Sequence, residues 1–324
     1  MKNKAIQELR GIAITAVILF HAKIGLFPNG YIGVDVFFVI SGYLIIPRML
    51  HAIHYNGVWN FYKNRFLRLA PALIFMLVIT LPLMLIFGSW VSHSQFLIQA
   101  GSTLFLLGNI GAFYVSGNYF APSGFTPLVH TWSLAVEEQI YLILPLILKY
   151  KSRFLNHSIA ITSLMFYIIE PILPGNLSNF NFYFFVSRIW EFYLGYIYYR
   201  QSNSNNNFLK IKTFNIYFLF LLLLFPIALP RVFATLFAFA LIFFIISNIV
   251  PKESNSNLLT IIGDRAYSLY LFHLPLIYFA KFTPLIYGNN RTVPTILALI
   301  FTIIFAEISF TKIEFRFMLN RLSK

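Results

Sequence analysis

A basic pair in the first apolar stretch of the sequence is the feature best suited to chemistry. Arg10 and His21 flank the segment GIAITAVILF, so an ionisable histidine lies at bilayer depth in a stretch that otherwise suits lipid. An ionisable residue at that depth costs at least ~2.5 kcal/mol on insertion scales and usually marks a polar cavity or a reaction site. Eleven residues turn a helix about 20° past three full turns, so the two side chains share one face, with His21 about 16 Å above Arg10.

The second apolar stretch contributes a carboxylate. Asp35 lies in GVDVFFVISGYLI, which enters from the outer side, and we expect it to meet His21. A carboxylate that binds one imidazole nitrogen fixes the tautomer and raises the basicity of the other nitrogen, as a general base requires. The alternative is a structural pair between the first two helices.

The third apolar stretch begins with the basic segment FYKNRFLRLAP. It contains Lys63, Arg65 and Arg68, and the two arginines point the same way on a helix because they are three residues apart. Paired guanidinium forks suit a ligand that carries phosphate. A topology anchor that binds lipid head groups is the alternative.

The segment HTWSLAVEEQIYLILP carries a third group of candidates. His130 and Trp132 lie at the predicted outer face, whereas Glu137 and Glu138 lie inside a predicted span. Adjacent carboxylates on a helix point about 100° apart. We therefore expect at most one of the two to face a given site.

Two later segments hold candidates for substrate binding or structure. RIWEFYLG places Arg188 and Glu191 three residues apart, and this spacing predicts an intrahelical ion pair with a structural role. SLYLFHLP places Tyr270 near His273. A lone histidine on a helix is more often a core residue than a ligand, so His273 is the weaker candidate.

Composition identifies the class of protein. Hydrophobic residues make up 59% of the 324 residues and charged residues 10%, with a mean hydropathy of +0.75, whereas soluble domains carry about one quarter charged residues. The sequence therefore predicts a polytopic membrane protein, and its net charge of +14 reflects a cytoplasmic excess of Lys and Arg, not nucleic-acid binding. Because it has no cysteine, no HExxH and no GxSxG, we expect no thiolate nucleophile, no metal site and no serine elbow.

The apolar pattern predicts an all-α fold with about ten transmembrane helices. The stretch 95–115 is interrupted by polar residues and glycines. If it crossed the membrane, twelve basic residues between Lys149 and Lys324 that lie in predicted inside loops and ends would face outside. Because the positive-inside rule opposes that arrangement, we expect a re-entrant or interfacial hairpin there, with both termini cytoplasmic. We also expect a single transmembrane domain over 1–324 and no soluble domain. The ten spans lie near residues 9–27, 31–49, 66–88, 131–148, 156–173, 182–199, 213–229, 231–250, 266–284 and 293–311.

The ordered set of motifs resembles the acyltransferase-3 family of integral membrane acyltransferases. The resemblance covers about residues 7–316 and rests on the Arg10–His21 pair and on the motifs quoted above. It implies transfer of an acyl group, usually acetyl from acetyl-CoA, to a hydroxyl of an extracytoplasmic carbohydrate. It also implies that the Arg10–His21 pair is essential and that Arg65 and Arg68 form the RxxR motif of the family.

This sequence departs from the family pattern in two ways. Some relatives carry a C-terminal periplasmic SGNH esterase-like domain, which is not part of this sequence, so a separate periplasmic partner that completes transfer stays open. The terminal Glu-x-Pro-x-Arg of the family is here Glu314-Phe-Arg316, which lacks the proline.

The resemblance places the acyl donor at the cytoplasmic side. We expect Arg65 and Arg68, with Lys63, to bind the phosphates of acetyl-CoA. We expect Arg10 to hold the cofactor or to contribute to the electrostatic field of the cavity. No metal is expected. The implied partners are acyl-CoA, membrane lipids and a surface glycan such as O-antigen or a lipid-linked sugar, and the implied location is the bacterial inner membrane.

At the reacting centre we expect His21 to act as general base on the sugar hydroxyl, or as a transient acyl-imidazole carrier. Asp35, Glu137 or Glu138 would orient it. The alternative function is a transporter or flippase, in which the same buried charges form a substrate or proton pathway. The basic RxxR entrance favours the enzyme, because a sugar or proton carrier does not need it.

Overall fold

The computed structural model describes residues 4–23, 27–121, 126–149, 153–202, 233, 235–240, 257–280 and 292–314. Within these ranges the elements are helices joined by turns, with no strand, so the predicted all-α class is confirmed for this part of the chain. The helices are α1 (Lys4–His21), α2 (Ile32–His51), α3 (Val58–Phe87), α4 (Trp90–Leu104), α5 (Gly108–Ser116), α6 (Thr131–Lys149), α7 (Arg153–Ile169), α8 (Gly175–Tyr183), α9 (Ile189–Ser202), α10 (Leu258–Asp264), α11 (Ala266–Ala280) and α12 (Thr292–Ile308).

Several helices suit an integral membrane protein. Four stretches of the described chain are long and apolar enough to cross a membrane, and α11 is a shorter apolar helix. The predicted count of about ten spans is not confirmed, and the predicted span 213–229, with most of 231–250, lies outside the described residues. The four stretches are Ile32–Tyr55, Val58–Phe87, Thr131–Leu148 and Thr292–Glu314.

The predicted span 182–199 is wrong at its start. Helix α8 ends at Tyr183, a short turn of 3₁₀ helix covers Phe185–Arg188, and α9 begins at Ile189. The backbone N–H of Trp190 donates to Ser163 Oγ at 3.0 Å, so a side chain of α7 satisfies one of the N–H groups that the first turn of α9 leaves free. Hydropathy does not detect this break because the residues on both sides of it are apolar.

The stretch predicted as a hairpin is a helical hairpin. Helices α4 and α5 run antiparallel, with Gly111 lying against Ser102 and a turn at Leu106, whose φ is 60°. This left-handed conformation is unfavourable for leucine. Gln139 of α6 secures the turn, because its Nε2 donates to Leu106 O at 3.0 Å and to Asn109 Oδ1 at 2.8 Å. Insertion of the hairpin into the membrane stays a prediction.

The described chain forms two compact units. Unit 1 comprises Met1–His54, Leu146–Ile168 and Ser187–Ala266, and unit 2 comprises Tyr55–Pro145, Ile169–Val186 and Tyr267–Lys324. The core of unit 1 lies where α1 and α9 pack on α2. The core of unit 2 is built from α3, α4, α11 and the turn before α6, and includes Ala72, Met76, Met84, Phe96, Leu128, Leu271 and Phe272.

Glycines bring α2 and α9 of unit 1 into close contact. A Cβ on Gly42 would overlap the carbonyl oxygen of Phe192, and a Cβ on Gly195 would overlap that of Val39. Small residues at such a crossing let helix backbones approach closely, which is how helices associate where the hydrophobic effect between them is weak. The packing of α2 on α9 therefore depends on these two glycines.

We expect Gly42→Ala to destabilise unit 1 by about 1–3 kcal/mol, because the added methyl group forces the two backbones apart. Gly101→Ala in α4 is the matched control, since nothing lies within 4 Å of its Cβ position and alanine favours a helix over glycine. Thermal unfolding in detergent measures both variants. A Gly42→Ala protein as stable as the Gly101→Ala protein would contradict the close packing.

Candidate functional site

The predicted basic entrance and the predicted carboxylate pair meet in unit 2. Arg65 Nε lies 2.5 Å from Glu138 Oε1, and Arg65 Nη2 lies 3.3 Å from Glu137 Oε1. The expectation that at most one of the two glutamates faces a given site is wrong. A guanidinium presents donors along several edges, so one arginine on α3 is contacted by two carboxylates that leave α6 in different directions.

The surroundings of Arg65 hold it firmly. Its guanidinium lies 3.9 Å from the ring centroid of Tyr141, and the Tyr141 hydroxyl donates to Glu137. Tyr62 Oη donates to the backbone oxygen of Tyr141 at 2.9 Å, which adds a second link between α3 and α6. The side chains of Arg65, Glu137 and Glu138 are only 12%, 19% and 16% exposed, so the group is largely shielded from water. The guanidinium of Arg65 is therefore already paired with two carboxylates of the protein.

Arg68, one helical turn further along α3, differs from Arg65 in its contacts. No described residue forms a hydrogen bond or an ion pair with Arg68, and its Nε atom is buried. Glu314 and Glu137 attract its charge at longer range, whereas Arg65 repels it. A buried donor without an acceptor costs about 1–3 kcal/mol, and more when it is charged. An arginine whose Nε lacks an acceptor is a candidate site for an anion.

Helix α11 lies beside Arg68. Tyr267 Oη donates to the backbone oxygen of Leu69 at 2.9 Å, and Ser268 Oγ donates to Glu314 and to Ser309 Oγ. Glu314, the acidic residue of the C-terminal motif, is thereby fixed near the RxxR arginines. Arg316 lies outside the described residues. Lys63, the third basic residue of the predicted entrance, is exposed.

A second polar cluster lies at the start of α6. The rings of His130 and His273 are 5.3 Å apart between centroids, and His130 Nε2 lies 3.1 Å from the backbone oxygen of Leu271. Tyr270 Oη lies 2.7 Å from Ser133 Oγ and donates to the backbone oxygen of His130 at 2.8 Å. His273 is therefore not a lone histidine. Its partner is 143 residues earlier in the chain, so only the fold reveals the pair.

Trp132 also lies in unit 2, where it is 2% exposed and packs against two aromatic residues of α8. Its ring centroid is 4.8 Å from that of Phe182 and 5.8 Å from that of Tyr183. This side chain ties α6 to α8. A substrate-binding role for Trp132 stays a prediction.

Unit 1 contains a buried ion-pair group around Arg188. Arg188 Nη1 lies 3.2 Å from Glu191 Oε1, as the spacing predicted, and 2.8 Å from Asp35 Oδ1. The guanidinium carbon lies 5.1 Å from the ring centroid of Tyr167, and Thr235 Oγ1 donates to Asp35 Oδ2 at 3.4 Å. Arg188 and Asp35 are 1% and 7% exposed as side chains. The partner of Asp35 is an arginine 153 residues away, which the sequence did not predict.

The helix register places Asp35 well away from His21. Gly33 of α2 lies directly against Ala13 of α1, so Asp35 is at a level roughly two turns, about 9–15 Å, below His21. This register does not support the expected direct hydrogen bond between the two side chains. Because α2 begins at Ile32, close to the predicted start at residue 31, the difference lies in the level at which α2 packs on α1 and not in the bounds of the helix.

The Arg10–His21 pair lies on one continuous helix, α1. His21 is its last residue, is 6% exposed and meets the ring of Phe20 edge to face at 5.3 Å. Arg10 Nη1 donates to Gln7 Oε1 at 3.0 Å. Within the described ranges, no group of three His, Asp or Glu side chains is arranged to hold a metal ion.

The double contact of Arg65 generates a stability prediction. Replacing Arg65 with Met leaves two shielded carboxylates without a counter-charge, so we expect a loss of roughly 3–5 kcal/mol. Adding Glu137→Gln and Glu138→Gln to that variant should recover most of the loss, because the uncompensated charge is then gone. Thermal unfolding of the purified variants measures both effects. Lys63→Met, on the same helix but exposed, is the matched control, and an equal loss there would contradict the assignment.

Comparisons with known proteins agree with these motifs. A family model described as an acyltransferase domain, that of the acyltransferase-3 family, matches residues 3–309. O-acetyltransferase OatA of Staphylococcus aureus strain NCTC 8325 / PS 47 is 31% identical over 345 aligned positions, which cover 94% of this chain and 55% of the relative. OatA of strain COL matches to the same extent.

This chain therefore spans about half the length of the curated relatives that it matches. No solved structure matches it. Because the family model covers nearly the whole sequence, the chain belongs to the acyltransferase-3 family.

Proposed function

We propose that this chain transfers an acetyl group from acetyl-CoA on the cytoplasmic side to a hydroxyl of an extracytoplasmic glycan, such as a surface polysaccharide. Family membership and the name O-acetyltransferase carried by its relatives support acetyl transfer to oxygen. The observation that carries the proposal is Arg68, whose Nε atom is buried and has no hydrogen-bond partner among the described residues. A cation with an unused hydrogen-bond donor suits an enzyme whose acyl donor carries several phosphates.

We propose different roles for the two arginines of the RxxR motif. Arg65 already meets two carboxylates, so its role in the proposal is to hold α3 on α6 and to set the position of Arg68. Arg68 then binds a phosphate oxygen of the donor with parallel hydrogen bonds, which a guanidinium makes better than an ammonium. Lys63, which is exposed, adds positive potential that attracts the donor.

The acetyl group moves by attack of the acceptor oxygen on the thioester carbonyl. In the proposal, His21 takes the hydroxyl proton as the new C–O bond forms, the C–S bond breaks, and the proton ends on the CoA thiol. The net reaction consumes a thioester and an alcohol and yields an ester and a thiol, so no other reactant is required. Arg10, on the same helix, contributes positive charge to this region.

The three carboxylates that we expected to orient His21 have other partners. Asp35 lies 2.8 Å from Arg188, and Glu137 and Glu138 contact Arg65. We assign all three as positioning residues that neutralise two arginines. An inner-membrane location with cytoplasmic termini completes the proposal, because acetyl-CoA is made inside the cell and surface glycans are finished outside it.

The general-base assignment predicts that His21→Ala abolishes acetyl transfer and leaves the protein in the membrane, because the variant loses the base and gains an apolar helix end. Radiolabelled acetyl-CoA supplied to membrane vesicles, followed by measurement of alkali-labile ester in the extracted glycan, provides the assay. His157→Ala, a histidine on α7 that touches Tyr193, is the matched control and should keep activity. Wild-type ester levels in the His21→Ala vesicles would exclude the catalytic role.

The role of Arg68 predicts that Arg68→Lys raises the acetyl-CoA concentration for half-maximal rate about ten- to a hundredfold. The lost charged hydrogen bond is worth roughly 1.5–3 kcal/mol, and a lysine cannot reproduce the fork. The initial transfer rate, measured against acetyl-CoA concentration, gives the answer. Lys63→Arg serves as control and should leave saturation nearly unchanged. If Arg68→Lys also saturates normally, Arg68 is a topology anchor and not a phosphate ligand.

A further inference from the structure

His130 presents a nitrogen lone pair that no described residue of the protein uses. A carbonyl oxygen can only accept a hydrogen bond, so the 3.1 Å contact with Leu271 O requires that His130 Nε2 carries the proton. His130 Nδ1 is therefore the acceptor of the ring. It is buried and has no hydrogen-bond partner, and the residue is 1% exposed. This lone pair is available to a donor that is not part of the protein.

The surroundings of His130 indicate what kind of donor fits. Tyr270 and Ser133 are neutral hydroxyl groups that bond to each other at 2.7 Å, and His273 Nδ1 lies 2.7 Å from the backbone oxygen of Tyr270. None of these side chains provides a negative charge, and an ammonium group buried there would lack compensation. A neutral O–H donor meets the requirement without that cost.

Helix α11 contacts the backbone beside both Arg68 and His130. Tyr267 bonds the backbone next to Arg68, and Tyr270, one turn further on, bonds the backbone oxygen of His130. Three residues of helix rise about 4.5 Å. The same helix therefore helps to position a cationic donor and a neutral acceptor of unit 2.

We propose that His130 Nδ1 binds a hydroxyl group of a substrate. This assignment rests on the proposed acetyl-transfer function and deepens it. Two sources supply such a hydroxyl: the pantoate hydroxyl of the CoA arm, which follows the phosphates of CoA directly, and a hydroxyl of the glycan other than the one that reacts at His21. The chemistry at His130 is the same for both, and the experiment separates them.

Two amide variants of His130 test the roles of its two ring nitrogens separately. His130→Asn places an amide oxygen near the position of Nδ1 and loses the bond to Leu271, whereas His130→Gln extends an amide nitrogen towards Leu271 and loses the Nδ1 acceptor. The proposal predicts that Gln weakens substrate use about tenfold, the effect of one lost hydrogen bond, and that Asn stays within roughly threefold of wild type. A purely structural histidine predicts the reverse order.

Two measurements on protein that elutes as a single species in detergent locate the hydroxyl. The first is the affinity for radiolabelled acetyl-CoA without acceptor, and the second is the rate of ester formation in membrane vesicles. Weaker acetyl-CoA binding by the Gln variant assigns the hydroxyl to the CoA arm. Unchanged binding with slower ester formation assigns it to the glycan. Wild-type behaviour of the Gln variant in both assays, or equal losses in the Asn and Gln variants, would overturn the proposal.

The design remains decisive if one variant fails to fold. Should the Asn variant not be recovered, a folded Gln variant decides alone, since the proposal requires it to be defective in at least one assay. The wild-type protein tests the underlying function separately. No ester formation by wild-type vesicles would refute acetyl transfer itself, whereas active wild-type vesicles with an unaffected Gln variant would refute only the role of His130.

Discussion

The cost of placing guanidinium groups inside an apolar helix assembly constrains the rest of the structure. In each unit, two carboxylates offset this cost for one arginine. Arg188 pairs with Asp35 and Glu191 in unit 1, and Arg65 pairs with Glu137 and Glu138 in unit 2. An arginine that loses its carboxylates in such surroundings leaves an uncompensated charge, which is far more costly than a lost surface ion pair. The helices that carry these residues are consequently fixed in register.

The same need for satisfied polar groups explains the irregular segments. The turn of the α4–α5 hairpin adopts an unfavourable conformation at Leu106 and is held by the side-chain amide of Gln139, which is adjacent to Glu138. The break before α9 is held by Ser163 of α7. In hydrocarbon surroundings, irregular backbone is tolerated only where other protein groups satisfy it. Both breaks therefore lie against a neighbouring helix and are next to ion-paired residues, so local geometry and charge placement support each other.

Against this background of satisfied groups, the unsatisfied ones become informative. Arg68 Nε and His130 Nδ1 are buried polar atoms of unit 2 for which the described part of the chain provides no partner. Native proteins leave few such groups, and a site that awaits a ligand is one physical reason for them. The contrast between Arg65, which has two partners, and Arg68, which has none, separates two arginines that are equivalent in sequence. It is the basis of the distinct roles that we propose for them.

The sequence by itself determined the membrane class, the helical fold of the described residues, the hairpin at 95–115 and the Arg188–Glu191 pair. These follow from hydropathy, from interruption of an apolar run and from a three-residue spacing, all of which are local properties. Only the tertiary structure decided that Asp35 pairs with Arg188, that both glutamates share Arg65 and that His130 adjoins His273. These contacts join residues that are 72 to 153 positions apart, and they depend on helix register. The level at which α2 packs on α1, which no local pattern specifies, places Asp35 roughly two turns below His21.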